Sequence, residues 1–300
     1  LIVDGAWGPH FGFHPDLPAS PARLGADLVV SSTHKLAGSL TQSAMLHLGD
    51  GPFADRLEPL IERAVSTTSS TSSSALLTAS LDIARHSLMT GAEEIGRSIV
   101  AANAFRAALR EDPRFAVLDD GFGAFDDIVA TDPLRVPIDV SATGVSGHWL
   151  RQHLLEVEGI YFEISTATAL VALIGAGKTP DLEHVHRVLS AAVDSDEAHA
   201  ERAQADTADS PALPPSGALR MPPRDAYFAG TELVPAAQAV GRVSADTLAA
   251  YPPGIPNVIP GEEITAQTVA FLQAVAASPS GYVRGAVDPD VARFRVTRED

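Results

Sequence analysis

The sequence predicts an α/β fold with a larger first domain and a smaller α/β second domain. Three observations predict it. Short apolar runs that suit buried strands alternate with runs whose apolar residues recur at the helical period of 3.6. The apolar runs at residues 1–3 and 28–30 are separated by the length of one strand, helix and strand unit. The 300 residues are also 45% hydrophobic, which supplies a sizeable core.

We predict a first domain over residues 1–193, a linker over 194–217 and a second domain over 218–300. The linker is rich in Asp, Glu, Ala, Ser and Pro and has no sustained apolar period. In the first domain, a run of serines and threonines at residues 66–74 predicts a hydroxyl-rich loop. Apolar spacing from residue 76 predicts one long helix that ends before Pro113.

The rest of the first domain alternates strands with helices. Residues 138–140 predict a strand, and the helix that follows begins at Ser146 and ends at Gly159. Residues 160–164 and 169–174 predict two more strands, and Thr179 is predicted to cap another helix. In the second domain, helical spacing predicts a helix that contains Val269, Leu272 and Val275.

Two charged residues follow the first two predicted strands. Asp4 ends one apolar run, and Lys35 comes 31 residues later, just after the other. A strand, helix and strand unit would place both at the carboxyl edge of a parallel sheet, where such sheets bind ligands. A lysine amine can hold pyridoxal 5'-phosphate as a Schiff base, while a buried carboxylate keeps the ring nitrogen of that cofactor protonated. Alone, each would be an ordinary surface residue, but together they predict a pyridoxal phosphate site.

The charge of the chain and the length of its apolar stretches argue against two classes of binding partner, nucleic acid and membrane. A net charge of −17 and an isoelectric point near 4.9 argue against binding the phosphates of nucleic acid. The longest nearly apolar stretch, at residues 167–177, is shorter than the ~20 residues of a membrane-spanning helix. We therefore expect a cytoplasmic protein that binds neither nucleic acid nor membrane. Because the sequence begins inside an apparent strand rather than at methionine, we expect it to be a piece of a longer protein.

These residues resemble the bacterial Orn/Lys/Arg decarboxylase family of fold-type-I, pyridoxal-phosphate-dependent enzymes. Asp-Gly-Ala-Trp at 4–7 resembles the family's D-x-A-H/W block, and Ser-Thr-His-Lys at 32–35, after Gly-Ala-Asp at 25–27, resembles its G-A-D…S-T-H-K block. Tyr-Pro-Pro-Gly-Ile-Pro at 251–256 and Pro-Gly-Glu at 260–262 resemble the signature of its C-terminal domain. The resemblance implies a partial aspartate-aminotransferase-like domain followed by that C-terminal domain.

The resemblance also implies roles for individual residues. Lys35 would bond the cofactor aldehyde, Asp4 would face the pyridine nitrogen, and Lys35 or His34 would return a proton to the alpha carbon of the substrate. The residues that would contact the cofactor are Asp4, Ala6, Trp7, Ser32, His34 and Lys35. The implied reaction is decarboxylation of lysine, ornithine or arginine in a homodimer or larger homo-oligomer.

Three further residues are candidates for the substrate site. Ser72 and Ser74 lie on a segment that resembles the family's T-S-P-S-Y, although Ser73 replaces its proline. The second cation of the substrate needs a carboxylate partner, and Glu262 is the candidate. In the family, the region before Asp4 supplies the ring-stacking side chain and part of the phosphate cradle. We therefore expect the site within this sequence to be incomplete.

Alternative functions remain open. The chain could be another fold-type-I enzyme, such as an aminotransferase, or a non-catalytic scaffold homologue. The C-terminal signature favours the decarboxylase over the aminotransferase, and the presence of both Asp4 and Lys35 argues against the scaffold.

Two weaker patterns predict no site. Residues 172–179 resemble a phosphate-binding P-loop, but Ala172 replaces its first glycine and Pro180 removes a backbone donor, so we interpret the glycines there as a turn. The histidine pairs at residues 10 and 14 and at 184 and 186 lack a third ligand at recognisable spacing, so we predict no metal site.

Overall fold

The computed structural model describes residues 1–205, 213–251, 254–278 and 281–298. The chain divides into two compact units, Leu1–Ala205 and Asp206–Asp300. None of the described helices is long and apolar enough to cross a membrane.

A three-stranded sheet begins the first unit. Strand β1 (Ile2–Asp4) pairs in parallel with β2 (Leu28–Ser31), and β2 pairs in antiparallel fashion with β3 (Met45–Leu48). A short helix, α1 (Thr33–Leu36), follows β2.

The prediction of a helix between β1 and β2 is wrong. Residues 5–27 form successive turns instead. Prolines recur there at positions 9, 15, 18 and 21, and each removes a backbone donor that a helix needs. Gly12 and Gly25 turn the chain at φ +84° and +95°, in the left-handed region that favours glycine.

Three helices come next: α2 (Ala54–Thr68), α3 (Ala75–Thr90) and α4 (Ala92–Glu111). The single long helix predicted from residue 76 is therefore wrong, because the chain breaks at Gly91. A Cβ at Gly91 would lie 2.4 Å from the Ser87 carbonyl oxygen, so this close approach needs glycine. The serine and threonine run is a loop only in part, since α2 continues to Thr68.

The second sheet of this unit is antiparallel, with strand order β4-β5-β7-β6. Its strands are β4 (Ala116–Val117), β5 (Arg135–Asp139), β6 (Ile164–Ser165) and β7 (Ala169–Leu173). Two short 3-10 helices, Leu118–Ala124 and Ser141–Thr143, flank β5. The predicted strands at 138–140 and 169–174 are confirmed to within a few residues.

The strand predicted at 160–164 is wrong over most of its length, because β6 begins only at Ile164. The Phe162 carbonyl accepts a hydrogen bond from Nε of Arg151 at 2.8 Å. A side chain therefore satisfies a backbone group that a neighbouring strand would otherwise satisfy.

Helices α5 (Gly147–Glu158) and α6 (Leu182–Val193) pack with α4 against this sheet. The predicted ends of α5 are confirmed, since Ser146 caps its start and Gly159 adopts φ +67° after its end. The predicted cap of α6 is wrong. Asp181, not Thr179, accepts the His184 backbone N–H at 2.8 Å. Together these elements bury a continuous core that includes Phe105, Ile138, Leu150, Leu170 and Leu189.

Helix α7 (Asp196–Ala205) lies within the predicted linker. Residues 206–212 of the predicted linker lie outside the described residues. The predicted domain boundaries at 193 and 218 stay predictions.

The second unit contains two small antiparallel sheets, with strand orders β10-β9-β11 and β12-β8. Its elements are α8 (Pro223–Phe228), β8 (Thr231–Pro235), α9 (Ala236–Ala239), β9 (Leu248–Tyr251), β10 (Pro256–Val258), α10 (Ala266–Ala277), β11 (Tyr282–Arg284) and β12 (Arg293–Thr297). Helix α10 confirms the predicted helix and buries Val269 and Leu272. Pro252 and Pro253 of the C-terminal signature lie outside the described residues.

One ion pair in the first unit makes stability depend on pH. Arg114 donates to both carboxylate oxygens of Asp112, at 2.8 and 2.6 Å, and lowers the pKa of Asp112 to about 2. Because the folded pKa lies below the ordinary value, this stabilisation is present at neutral pH and is lost as the pH falls from about 4 towards 2. We expect Asp112→Asn to reduce the free energy of unfolding by about 2 kcal/mol at pH 7, measured by urea unfolding.

The matched control for Asp112 is Asp82→Asn, which removes an exposed ion pair with Arg85. Exposed pairs contribute ~0–1 kcal/mol, so this variant should change the free energy of unfolding little. Equal losses in the two variants, or a loss in Asp112→Asn that does not shrink on acidification, would contradict the prediction.

Candidate active site

The carboxyl ends of β1 and β2 point in the same direction. Asp4 lies opposite Val30 in the parallel ladder, and the Gly5 N–H continues that ladder to the Val30 carbonyl at 2.8 Å. Lys35 lies on α1, which begins two residues after β2. Asp4 and Lys35 therefore follow adjacent parallel strands at one edge of the sheet.

Asp4 is exposed, which corrects the expectation of a buried carboxylate. It is the last residue of β1, an outer strand of the sheet. Its Oδ1 accepts the Ala6 N–H at 3.0 Å, so the carboxylate also shapes the turn that follows.

Trp7 contacts Lys35. Two successive turns, closed by the Gly8 N–H on the Gly5 carbonyl and by the Phe11 N–H on the Gly8 carbonyl, follow Asp4. They bring the indole of Trp7 to Lys35, whose Nζ lies 4.3 Å from the ring centroid. This is cation–π contact distance, so the aromatic ring helps to place the lysine ammonium group.

Ser32 and His34 are both partly buried. Ser32 precedes α1, and its side chain makes no capping hydrogen bond, which leaves the hydroxyl available for a ligand. Nδ1 of His34 lies 2.8 Å from the Ser43 carbonyl oxygen. Because a carbonyl only accepts, this nitrogen carries the proton, and Nε2 of a neutral His34 is left as an acceptor.

Arg135 was not found from the sequence. Its Nη2 donates to the Trp7 carbonyl at 2.8 Å, and its Cζ lies 4.8 Å from the Trp7 ring centroid. Burial lowers the pKa of Arg135, and Asp132 and Glu163 partly oppose that shift. Arg135 and Asp4 both line a cavity of about 360 Å³. In the sequence, the only sign of this contact is an aspartate three residues before an arginine at the start of a strand. That pattern is common in turns and does not indicate a site.

Each of the three proposed substrate residues makes a local hydrogen bond. Ser74 caps α3 by accepting the Leu77 N–H at 3.4 Å, and the Ser72 N–H donates to Ser70 Oγ at 3.1 Å. In the second unit, Oε2 of Glu262 accepts the Ile259 N–H at 3.1 Å. Within the described residues of the first unit, no hydrogen bond joins Ser72 or Ser74 to Asp4 or Lys35. Their substrate roles stay predictions.

A cavity of about 670 Å³, larger than the one that Asp4 and Arg135 line, does not include Asp4 or Lys35. It borders the sheet face that carries Val29, Ser31 and His47, and desolvation in this setting lowers the pKa of His47. Volume alone therefore does not identify the chemical site. Across the described residues, no group of three or more His, Asp or Glu side chains could hold a metal ion.

The side chains at the edge suit pyridoxal phosphate chemically. An amine, a carboxylate, a hydroxyl and an imidazole match the aldehyde, the ring nitrogen and the phosphate of that cofactor, the imidazole donating to the phosphate in its protonated form. Lys35 would hold the aldehyde, Asp4 the ring nitrogen, and Ser32 with His34 the phosphate.

The chain matches a known protein family. The sequence profile described as "Orn/Lys/Arg decarboxylase, major domain" matches residues 1–181. The chain belongs to this family. A second profile, "Orn/Lys/Arg decarboxylase, C-terminal domain", matches residues 202–282.

Several curated proteins are similar to the present chain over most of the length of the chain. A protein named arginine decarboxylase from Bacillus subtilis (strain 168) is 32% identical over 274 residues, which are 91% of this chain and 55% of that protein. An arginine decarboxylase from Halalkalibacterium halodurans is 35% identical over 91% of this chain and 55% of that protein. One from Bacillus anthracis is 32% identical over 100% of this chain and 60% of that protein. The chain thus spans a little over half the length of these relatives.

Solved structures confirm the predicted α/β, fold-type-I architecture. A constitutive lysine decarboxylase from E. coli has a TM-score of 0.77 at 22% identity and covers 99% of this chain and 54% of its own. The Francisella novicida lysine decarboxylase LdcF also has a TM-score of 0.77. Its identity is 20%, and the match covers 100% of this chain and 53% of that protein. At these identities the likeness establishes the fold and not the substrate.

Proposed function

We propose that this chain carries the lysine and carboxylate of a pyridoxal-phosphate-dependent decarboxylase that converts a basic amino acid to its amine and carbon dioxide. The observation that carries the proposal is the placement of Asp4 and Lys35 after adjacent parallel strands, with Trp7 against the lysine. Arginine is the first substrate to test, because the relatives at 32–35% identity are named arginine decarboxylases.

The cofactor, when bound, supplies an electron-accepting ring that stabilises the negative charge left on the alpha carbon as carbon dioxide departs. Asp4 accepts a hydrogen bond from the ring nitrogen and keeps that nitrogen protonated, because a carboxylate favours the nearby positive charge. Ser32 donates its hydroxyl to the phosphate, and His34 donates through Nε2 when it is protonated. Trp7 covers one side of Lys35 and limits the positions of its amine.

Lys35 has two tasks in this scheme. Its neutral amine would hold the cofactor through the cofactor's aldehyde until substrate binds. Lys35 or His34 then returns a proton to the alpha carbon. The residues beyond this chain in the longer relatives would complete the phosphate site, in a homodimer or larger homo-oligomer.

The test is performed on the full-length protein with pyridoxal phosphate. We expect a visible absorbance band from the cofactor bound to the lysine, and carbon dioxide release from one of arginine, lysine and ornithine. A band with amino transfer but no carbon dioxide would establish the aminotransferase alternative. The absence of a band under saturating cofactor would instead identify a scaffold homologue and refute the proposal.

A further inference from the structure

A buried charged cluster lies next to Trp7. Side chains of His10 and Asp132 are 0% and 7% exposed, and Nε2 of His10 lies 3.1 Å from Oδ2 of Asp132. Nε of Arg135 lies 3.4 Å from the same oxygen. The Leu134 N–H donates to the other oxygen, Oδ1, at 3.0 Å. Asp132 is thus held by two basic side chains and the backbone.

Arg135 joins this cluster to the candidate active site. The Arg135 side chain contacts Asp132 and Trp7. It donates to the Trp7 carbonyl, and its Cζ lies 4.8 Å from the centroid of the Trp7 ring. The same indole lies 4.3 Å from Nζ of Lys35. A continuous series of contacts therefore runs from Asp132 through Arg135 and Trp7 to Lys35.

A contribution to folding stability does not by itself explain why these charged side chains are buried together. Charged groups are costly to bury, and a buried ion pair repays that cost only when its remaining polar atoms are satisfied. Here Nδ1 of His10 is buried without a hydrogen-bond partner, and the contact between Nε of Arg135 and Oδ2 of Asp132 is an ion pair at 3.4 Å without hydrogen-bond geometry. A fixed geometry of Trp7 is the feature that the cluster does provide.

We propose that Arg135, held by Asp132, is a positioning residue that fixes Trp7 against Lys35. The inference rests on the proposed function in one respect, namely that the placement of the Lys35 amine matters for cofactor binding. An arginine suits the task because its planar guanidinium can donate to a carbonyl while it lies against an aromatic ring. A lysine at this position would keep the charge but lose the planar fork.

The test measures the reactivity of Lys35 in the full-length protein freed of cofactor. The printed sequence has two lysines, and the exposed Lys178 serves as the internal reference. Trace acetylation followed by peptide mass spectrometry gives the Lys35 to Lys178 labelling ratio. We expect Arg135→Ala to change this ratio by about threefold or more, because the contact between Trp7 and Lys35 is lost.

A double-mutant cycle separates positioning through Trp7 from a direct effect of the arginine charge. In the Trp7→Ala background, Arg135→Ala should leave the ratio unchanged. Arg135→Lys, which retains the charge beside Asp132, should move the ratio in the same direction as Arg135→Ala and serves if the alanine variant fails to fold. The matched control is Arg151→Ala, since Arg151 also donates to a carbonyl and lies 4.7 Å from an aromatic ring, that of Tyr161.

An unchanged ratio in the folded Arg135 variants would overturn the proposal. So would an equal change in the Trp7→Ala background, or an equal change in Arg151→Ala. Because the labelling is performed without cofactor, it decides the role of Arg135 even if the wild-type protein forms no visible band and the proposed function fails.

Discussion

Replacing Lys35 with alanine is expected to abolish the visible cofactor band and to lower the rate of carbon dioxide release by about 10²- to 10⁴-fold. The variant removes the amine that bonds the cofactor and one of the two groups that return the proton. The effect should fall mainly on kcat, because the substrate amine can still reach loosely bound cofactor. Absorbance spectra and initial rates of carbon dioxide release measure both effects.

The chain supplies a matched control in Lys178→Ala. Lys178 is exposed, and its hydrogen bonds to the fold use its backbone: its N–H donates to the Gly175 carbonyl at 2.9 Å, and its carbonyl accepts from Ser98 Oγ at 2.6 Å. Truncation of its side chain should therefore leave both the band and the rate close to those of the wild type. A Lys35→Ala protein that retains the band would assign the covalent role to a lysine outside this chain.

Local signals in the sequence were sufficient for some elements and insufficient for others. Helix α5 was predicted at both ends because Ser146 and Gly159 act through hydrogen bonds and backbone geometry within one turn of the helix. The break at Gly91 depends on a close approach to the Ser87 carbonyl, which glycine content alone does not reveal. The helix predicted between β1 and β2 does not form. Strand spacing alone allows a helix there, but the four prolines at residues 5–27 exclude it.

The candidate site shows the same distinction. Asp4 and Lys35 could be proposed because one ends a strand, the other follows the end of the next strand, and their chemistry is specific as a pair. Arg135 could not, because it reaches Trp7 across 128 positions of sequence. The sequence predicts no metal site at His10 but does not indicate its partner, and its side chain is fully buried against Asp132. Contacts between residues so far apart arise from tertiary packing within the first unit, which no local pattern encodes.

Replacing Asp4 with asparagine is expected to lower the rate of carbon dioxide release by about 10²-fold or more. Asparagine keeps the shape and can still accept the Ala6 N–H, but it carries no charge to hold the proton on the ring nitrogen of the cofactor. Lys35 remains, so the variant should still bind cofactor and show a visible band. The expected signature is thus a lost rate with a retained band, measured by absorbance and carbon dioxide release.

A second strand-end aspartate separates the charge of Asp4 from its role in the turn. Oδ1 of Asp139, the last residue of β5, accepts the Ser141 N–H at 2.8 Å, just as Oδ1 of Asp4 accepts the Ala6 N–H. Asp139→Asn therefore makes the same change in the same kind of turn, away from the proposed cofactor, and should leave the rate nearly unchanged. If both variants lost activity equally, turn geometry would explain the loss. If neither did, the ring nitrogen would have to be held by a group other than Asp4, and the chemical pairing from which the proposed function begins would be wrong.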